Sequence, residues 1–281
     1  MRNNSADSSL DVNEEDMSLM KKWVKAILTN RGYELRRVGN SGVQGKSFPL
    51  DPFEAQCQLM NGLNRSNISI FDVGANKGQT AKRYRTMFPG AEIYCFEPFP
   101  DSITKLQRQF IDDQKVHIVA KAVAREKGFA TFYINEFDAT NSLLPRPTSE
   151  RRYYPKFAGP KDTIEVEVID LDGFMSASNI SRIDILKLDI QGGELSALNG
   201  AKDLLAGENT SMIYTEIMFI PHYESSPLFH EIWSFLCNYG YSLFDIYDLH
   251  RARNGQIRYG DALFVSEAIR KNVINKYSDE P

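Results

Sequence analysis

The sequence predicts an α/β protein built on a doubly wound, mostly parallel sheet with helices on both faces. Short apolar runs rich in Ile, Val and Phe alternate with longer stretches of helical periodicity, which is the pattern of buried parallel strands joined by helical crossovers. The composition agrees, since 42% of the 281 residues are hydrophobic and 25% are charged. These values are typical of a globular chain and exclude disordered and fibrous classes.

The alternation of strands and helices begins after residue 67. The predicted strands are 68–73, 92–96, 116–119, 129–134, 163–169, 183–188, 212–217, 241–247 and 262–265. The predicted helices are 79–88, 101–111, 194–205 and 228–239, with a further helix upstream at 52–63. Crossovers of this length favour parallel pairing of the strands.

The ends of the chain differ from its centre in composition. Residues 1–15 carry few large apolar groups and are predicted to form a disordered tail, followed by a helical N-terminal extension over 16–66. The main domain is expected over 67–270, with a C-terminal tail at 271–281. A Pro- and Arg-rich insertion at about 136–162 breaks the alternation. We expect it to act as a lid or substrate loop, because long irregular connections in compact domains tend to be functional.

The charge balance and the cysteines restrict the class of protein. With 33 Lys and Arg against 37 Asp and Glu, the net charge is -4, so nucleic acid is not expected as the main partner. The three cysteines, Cys57, Cys95 and Cys237, show no CxxC spacing, which is typical of a reducing compartment. The polar start has no apolar run long enough for a signal peptide or a transmembrane helix. We therefore expect a cytoplasmic protein; its oligomeric state is open, and a homo-oligomer is compatible with the sequence.

The strongest motif is an apolar strand that runs into a glycine turn and then a helix, FDVGANKGQT at 71–80. Gly74 and Gly78 lack Cβ atoms, so the turn can be tight and a ligand can lie against bare backbone at the helix N-terminus. The next strand ends in Glu97, 19 positions after Gly78, where open α/β sheets place an acid that accepts ribose hydroxyls. The alternative is a capping Asp and a surface Glu without a ligand. The turn lacks the third glycine of dinucleotide sites, which disfavours a nicotinamide-dependent dehydrogenase.

These residues, together with FEPFP at 96–100, NSLL at 141–144 and KLDIQGGELSALNGA at 187–201, resemble the FkbM family of S-adenosylmethionine-dependent methyltransferases. The resemblance spans about residues 68–266. The family block K-x-D-x-E-G-x-E is matched by Lys187, Asp189, Gly192 and Glu194. Gln191 stands where the family usually has Glu. This departure removes one carboxylate that could act as a base or a metal ligand.

The resemblance implies a Rossmann-like class I methyltransferase with a seven-stranded sheet. Its expected reaction is methyl transfer from S-adenosylmethionine, with release of S-adenosylhomocysteine, to a hydroxyl of a sugar, a glycan or another small molecule. The residues implied for the methionine end of the cofactor are Asp72, Gly74, Asn76 and Gly78. Glu97 is implied for the ribose, and Ala122 and Val123 for the adenine.

Asp189 ends a predicted buried strand and is the first candidate for a catalytic residue, beside the cofactor. Methyl transfer to a hydroxyl needs an aligned acceptor and removal of its proton, which a carboxylate can accept. The alternative for Asp189 is a helix N-cap near Glu194, and Glu194 in the first helical turn suits either a structural or a functional role. Glu216 ends the fifth strand and His222 follows it closely. Either side chain could therefore converge on the same rim as a second acid or base.

Four residues are candidates for acceptor binding. Asn141 and Ser142 match the family's NSL element and could face the site as hydrogen-bond donors. Arg151 and Arg152 lie in the basic insertion and indicate an anionic acceptor, such as a phosphorylated or carboxylated sugar; a solvated loop explains them equally well. Asp172 is expected to cap a helix.

The sequence leaves two alternatives to a metal-free methyltransferase. A divalent ion could deprotonate a diol acceptor, with oxygen ligands from Asp189 and Glu216. The sequence lacks a dense acidic or histidine cluster to complete such a site, so no metal site is predicted. A non-catalytic module that binds S-adenosylmethionine for regulation or assembly would keep the same glycine turn, but it has no need of Asp189.

Overall fold

The protein is described by a computed structural model that covers residues 48–147, 160–207 and 209–276. The chain divides into two units, Met1–Lys46 and Ser47–Pro281, and the described residues all belong to the second. The predicted tail and most of the N-terminal extension therefore lie outside the described residues. In the part that is described, no helix is long and apolar enough to cross a bilayer.

Two sheets form the framework of the described residues. The strands in chain order are β1 (Ser69–Val73), β2 (Glu92–Phe96), β3 (Val116–Val119), β4 (Ala122–Val123), β5 (Gly128–Ile134), β6 (Asp162–Ile169), β7 (Ile183–Leu188), β8 (Thr210–Met218), β9 (Ser242–Arg251) and β10 (Ile257–Val265). The main sheet has seven strands in the order β3-β2-β1-β7-β8-β10-β9, and the smaller sheet has the order β4-β6-β5. Pairing in the main sheet is parallel from β3 to β8, whereas β10 runs antiparallel to both of its neighbours. This order confirms the predicted doubly wound, mostly parallel sheet.

Helices connect and flank the strands of the main sheet. They are α1 (Pro52–Gly62), α2 (Gln79–Met87), α3 (Pro100–Gln109), α4 (Leu171–Ala177), α5 (Glu194–Asn199), α6 (Lys202–Ala206), α7 (Phe229–Asn238) and α8 (Glu267–Asn272). The prediction of one helix over 194–205 is wrong, because the helix is interrupted at Gly200 and continues as a second helix, α6. A Cβ atom at Gly200 would lie 2.4 Å from the carbonyl oxygen of Ala124. The close approach of these two backbones explains why glycine occupies the break.

Asp170 and Asp172 each cap a different helix, and the helix that Asp172 caps is not the one that follows it directly. Asp170 is the N-cap of α4, and its Oδ1 accepts a hydrogen bond of 2.6 Å from the Gly173 amide. The Asp172 carboxylate accepts hydrogen bonds of 2.9 Å from the amides of Asp203 and Leu204. Asp172 therefore caps the first turn of α6, a helix about thirty residues further along the chain.

The core has one layer on each face of the main sheet. Alternate residues of each strand point to opposite faces, so Ile70 is buried in one cluster with side chains of α1, α2 and α8, while Phe71 is buried in the other with side chains of α4 to α7. All residues of β7 are buried. Both faces are therefore covered, and the carboxyl edge of the parallel strands is left to hold a ligand.

Candidate functional site

A cavity of about 240 Å³ lies at the carboxyl ends of β1, β2 and β7. The predicted site residues that line it are Gly74, Asn76, Glu97, Ala122, Val123, Asn141 and Asp189. This is the edge at which open α/β sheets bind their ligands. The structure thus brings the predicted cofactor turn and the predicted base to one cavity.

The glycine turn packs directly on the backbone of Asp189. Gly74 has φ +80°, and a Cβ atom there would lie 1.9 Å from the Asp189 carbonyl oxygen. The amides of Gly74 and Ala75 donate to the Phe96 carbonyl at 3.0 and 3.1 Å, which ties the turn to β2. Gly78, with φ +88°, is the N-cap of α2 and provides no capping side chain. The first amides of α2 are therefore left for a ligand at the positive end of the helix.

Glu97 is held rigidly at the end of β2. Its Oε2 accepts a hydrogen bond of 2.8 Å from the Asn76 amide, and its Oε1 accepts one of 2.9 Å from the Phe99 amide. Burial raises the pKa of Glu97, and these two backbone hydrogen bonds partly oppose the rise. Each oxygen keeps a second lone pair, so this carboxylate in the cavity wall can also accept hydrogen bonds from a ribose.

The remaining walls suit a nucleoside. Ala122, Val123 and Phe132 supply apolar surface against which a flat base can pack. Asn76 and Asn141 line the same cavity, and Asn76 Oδ1 and Asn141 Nδ2 are buried without a hydrogen-bond partner among the described residues. Buried polar atoms are normally satisfied, so this acceptor and this donor are suited to a bound polar ligand. The described residues therefore fit S-adenosylmethionine.

Asp72 does not reach the cavity, contrary to the role that the resemblance implied. Its carboxylate is fully buried and forms an ion pair of 2.9 Å with Lys187 Nζ. Lys187 also donates a hydrogen bond of 3.0 Å to the Gly74 carbonyl. Burial opposes the charge of Lys187, but the carboxylates of Asp72 and Asp189 outweigh burial and raise its pKa. Asp72 thus supports the turn through Lys187 rather than through contact with a ligand.

Asp189 presents its carboxylate to the cavity, and 45% of its side chain is exposed. Lys187 Nζ lies 3.8 Å from Oδ2, and Gln191 Nε2 donates to Oδ1 at 3.0 Å. The N-cap of α5 is Gly193, which makes no side-chain cap hydrogen bond, so Asp189 does not have the capping role that was its alternative. Glu194 accepts hydrogen bonds from the amides of Ile190 and Gly192 at 2.9 and 3.0 Å. Burial raises the pKa of Glu194 to about 7. Glu194 is therefore structural, and the carboxylate of Asp189 remains available for chemistry.

Glu216 lies behind Asp189 and does not line the cavity. Gln191 Nε2 donates to Glu216 Oε2 at 2.8 Å, so one amide connects the two carboxylates. Burial raises the pKa of Glu216 well above its usual range, and the carboxylates of Asp189, Glu194 and Asp261 raise it further. Sequence reasoning treated Gln191 only as a departure from the family block and missed this contact. The position of Gln191 between Asp189 and Glu194 in that block was the available signal.

The structure does not bring His222 and Ser142 to the cavity. His222 is buried, and burial together with Arg258 and Arg146 lowers its pKa to about 4. Ser142 Oγ donates to the Gln191 carbonyl at 2.8 Å and accepts from the Leu144 amide at 2.9 Å, so it fixes a loop rather than facing a ligand.

The remaining acceptor candidates, Arg151 and Arg152, lie outside the described residues. Within 48–147, 160–207 and 209–276, no group of three or more His, Cys, Asp or Glu side chains is arranged to hold a metal ion.

The sheet order, the glycine turn and the carboxylate at the end of β2 define an α/β methyltransferase fold with a nucleoside-binding edge. Residues 72–243 match the family model described as the methyltransferase FkbM domain. The chain therefore belongs to the FkbM methyltransferase family and is an S-adenosylmethionine-dependent methyltransferase. Family membership favours an enzyme over the non-catalytic module.

Similar proteins include two with named activities. The chain is 26% identical over 181 residues to the 2-O-methyltransferase NoeI of Sinorhizobium fredii (strain NBRC 101917 / NGR234). The aligned region covers 62% of this chain and 72% of that protein. It is 27% identical over 172 residues to the 31-O-demethyl-FK506 methyltransferase FkbM of Streptomyces tacrolimicus, covering 54% of this chain and 66% of that protein. Among solved structures, the magnesium protoporphyrin IX methyltransferase ChlM of Synechocystis PCC 6803 with bound SAM superposes with a TM-score of 0.43 at 9% identity, over 92% of this chain and 100% of that chain.

Proposed function

We propose that this enzyme transfers the methyl group of S-adenosylmethionine to a hydroxyl oxygen of a sugar, a glycan or another small molecule. The observation that carries the proposal is the meeting of the glycine turn and the Asp189 carboxylate at one cavity. A donor bound on the turn would lie beside a carboxylate that can accept a proton. The names of two relatives, both O-methyltransferases, support an oxygen acceptor.

Glu97, Asn76 and the start of α2 bind the donor in this proposal. Glu97 accepts hydrogen bonds from the ribose hydroxyls, and the apolar wall at Ala122 and Val123 contacts the adenine. When bound, S-adenosylmethionine supplies an electrophilic methyl group on a positively charged sulfur. The cavity walls carry the acids Glu97, Asp138 and Asp189 and the lysines Lys121 and Lys187, so acidic groups outnumber basic ones by one and favour that positive charge modestly.

Asp189 orients the acceptor and removes its proton. Its carboxylate accepts a hydrogen bond from the acceptor hydroxyl and turns the oxygen lone pair toward the methyl carbon. As the oxygen–carbon bond forms and the carbon–sulfur bond breaks, the hydroxyl proton passes to Asp189. Lys187 and Gln191 complement the negative charge of this carboxylate at 3.8 and 3.0 Å. The residues of the proposed reaction are thus Glu97 for the donor and Asp189 for the acceptor.

Isothermal titration with S-adenosylmethionine and S-adenosylhomocysteine, combined with a methyl-transfer assay on neutral and anionic sugars, tests these roles. For Glu97→Ala we expect binding of both compounds to weaken by about 10- to 100-fold, because hydrogen bonds to a charged group are lost. For Asp189→Asn we expect the two affinities to stay within about threefold while methyl transfer falls by about 100-fold or more. Glu126→Ala removes a carboxylate from the exposed surface and serves as the control.

Two results would contradict these assignments. Unchanged donor affinity in Glu97→Ala would remove the ribose role, and full methyl transfer by Asp189→Asn would remove the base. The acceptor screen also decides whether the acceptor is anionic, as Arg151 and Arg152 indicate. We further place the reaction in the cytosol, because Cys57, Cys95 and Cys237 are free thiols.

A further inference from the structure

Gln191 makes a bridge between two acidic side chains at the back of the cavity. Its Nε2 lies 3.0 Å from Asp189 Oδ1 and 2.8 Å from Glu216 Oε2. The residue has a left-handed backbone with φ 56°, a conformation uncommon outside glycine. Its carbonyl accepts the hydrogen bond from Ser142 Oγ. The backbone is therefore held so that the side chain points between the two carboxylates.

Tyr223 determines which end of the Gln191 amide faces the acids. The buried Tyr223 hydroxyl donates to Gln191 Oε1 at 2.7 Å, with the Thr140 carbonyl 3.0 Å away as a second acceptor. A hydroxyl proton directed at the amide oxygen leaves both amide hydrogens for the carboxylates. In the flipped orientation the amide oxygen would face the carboxylate oxygen of Asp189, and the Tyr223 hydroxyl would lose its contact with an acceptor on Gln191. The orientation assigned to the amide therefore follows from the network itself.

We propose that Gln191 is a positioning residue for methyl transfer, whose amide fixes the Asp189 carboxylate toward the acceptor and keeps it able to accept a proton. The proposal rests on the proposed function of Asp189 and extends it to a residue that does not itself touch the reacting atoms. An amide has two donors to share between two acids and carries no charge. A carboxylate at the same place would have no proton to donate unless the cluster bound one.

The charges around Asp189 make this distinction matter. The charged groups that act on Asp189, directly or through Lys187, are Asp72 on β1, Lys187 on β7, Glu194 on α5, Glu216 on β8 and Asp261 on β10. Lys187 thus faces several carboxylates. Like charges about 3 Å apart cannot all ionise, so one more carboxylate at position 191 would make the cluster bind protons more tightly than it already does. A neutral amide satisfies the same lone pairs without that cost.

The test is a pH titration of the Asp189 side-chain carboxyl by ¹³C NMR in the full-length protein with S-adenosylhomocysteine bound, with Asp189→Asn used to assign the signal. For Gln191→Glu we expect the midpoint to move to higher pH by about one unit or more, because a third acid joins the pair. The acidic limb of the pH profile of kcat should move in the same direction. The affinity for S-adenosylhomocysteine should stay within about threefold, because the donor side is unchanged.

Two further variants complete the test. Gln191→Met keeps the length of the side chain but removes both donors, so we expect the Asp189 midpoint to rise in this variant also. Gln107→Glu adds the same charge on the exposed face of α3 and should leave the titration unchanged. An Asp189 midpoint within about 0.3 units of the wild type in both Gln191 variants would overturn the proposal. The titration needs no acceptor, so a wild-type protein without methyl transfer would refute the proposed function and still leave the bridge testable.

Discussion

Gly74 lies in the turn that we propose binds the methyl donor, and it packs against the backbone of Asp189, the proposed base. A Cβ atom there would lie 1.9 Å from the Asp189 carbonyl oxygen, and the φ of +80° is unfavourable for any other residue. For Gly74→Ala we expect a loss of at least about 2 kcal/mol in the free energy of unfolding, because both the strained backbone and the contact must be relieved. Urea denaturation measures this loss.

Gly90 provides the matched control for this substitution. A Cβ atom at Gly90 meets nothing within 4 Å among the described residues, and its φ lies outside the left-handed region. Gly90→Ala should therefore change the free energy of unfolding by less than about 0.5 kcal/mol. Equal stability of the Gly74 and Gly90 variants would show that the turn can open away from Asp189.

Individual site residues differ in how far the sequence could predict them. Glu97 and Asp189 end buried strands, and the position of a strand end in a doubly wound fold determines which side chains reach the ligand edge. Asp72 and Ser142 occupy motif positions too, but their partners, Lys187 and the Gln191 carbonyl, come from a different strand and a different loop. Only the folded arrangement reveals that these two side chains support the site instead of lining it.

At the scale of elements, the short 3-10 turn Asp138–Thr140 joins the glycine turn across the cavity. Asp138 Oδ2 lies 3.0 Å from Lys77 Nζ and 3.9 Å from Lys105 Nζ. These side chains are partly exposed, so the ion pairs contribute at most about 1 kcal/mol and weaken with salt. We therefore expect this turn to act as a lightly held strap over the bound donor.

For Asp138→Asn we expect S-adenosylhomocysteine to dissociate about two- to fivefold faster at low salt, with the difference shrinking at high salt. Stopped-flow displacement at two salt concentrations measures both effects. Glu136→Gln removes a nearby exposed carboxylate and should leave the rate unchanged. An equal dissociation rate in wild type and Asp138→Asn would rule out the strap.

Strand positions were predicted closely, and the misses have physical causes. β2, β3 and β7 have the predicted bounds. β7 is buried throughout, whereas the edge strand β3 has only Val116 buried and is predicted from its β-branched residues. β9 and β10 are longer than predicted, since they continue as a hairpin whose outer part carries polar residues such as His250 and Arg251. β4 has two residues and α4 has seven, which is too short for a periodic pattern.

At the scale of the whole molecule, buried acids make stability depend on pH. Burial raises the pKa of Asp261 to about 7, with the Asp189 carboxylate adding to the rise. The unfolded chain releases this proton near pH 3.8, whereas the folded protein keeps it until about pH 7. The folded state therefore binds more protons between these values, and stability falls as pH rises through this window.

For Asp261→Asn we expect the variant to gain about 1–3 kcal/mol relative to wild type between pH 4.5 and pH 8, because the amide does not titrate. Urea denaturation at a series of pH values gives this difference, and comparison with wild type cancels the contributions of other groups. Asp112→Asn, on the exposed surface, should give a difference that is flat with pH. If the difference in the free energy of unfolding between Asp261→Asn and wild type also stays constant with pH, this carboxyl is ionised in the folded protein.

The contact between Gly74 and the Asp189 carbonyl has a consequence for how this enzyme can change its acceptor. The distance between the donor turn and the base is set by two backbones, whereas other walls, at Phe132, Asn141 and Leu143, come from β5 and the loop that follows it. Leu143, which lies beyond the Asp138–Thr140 turn and Asn141, can be exchanged without moving the methyl donor relative to Asp189. An engineer who wished to redirect the enzyme to a new alcohol would therefore vary this end of the loop and leave the strand ends untouched.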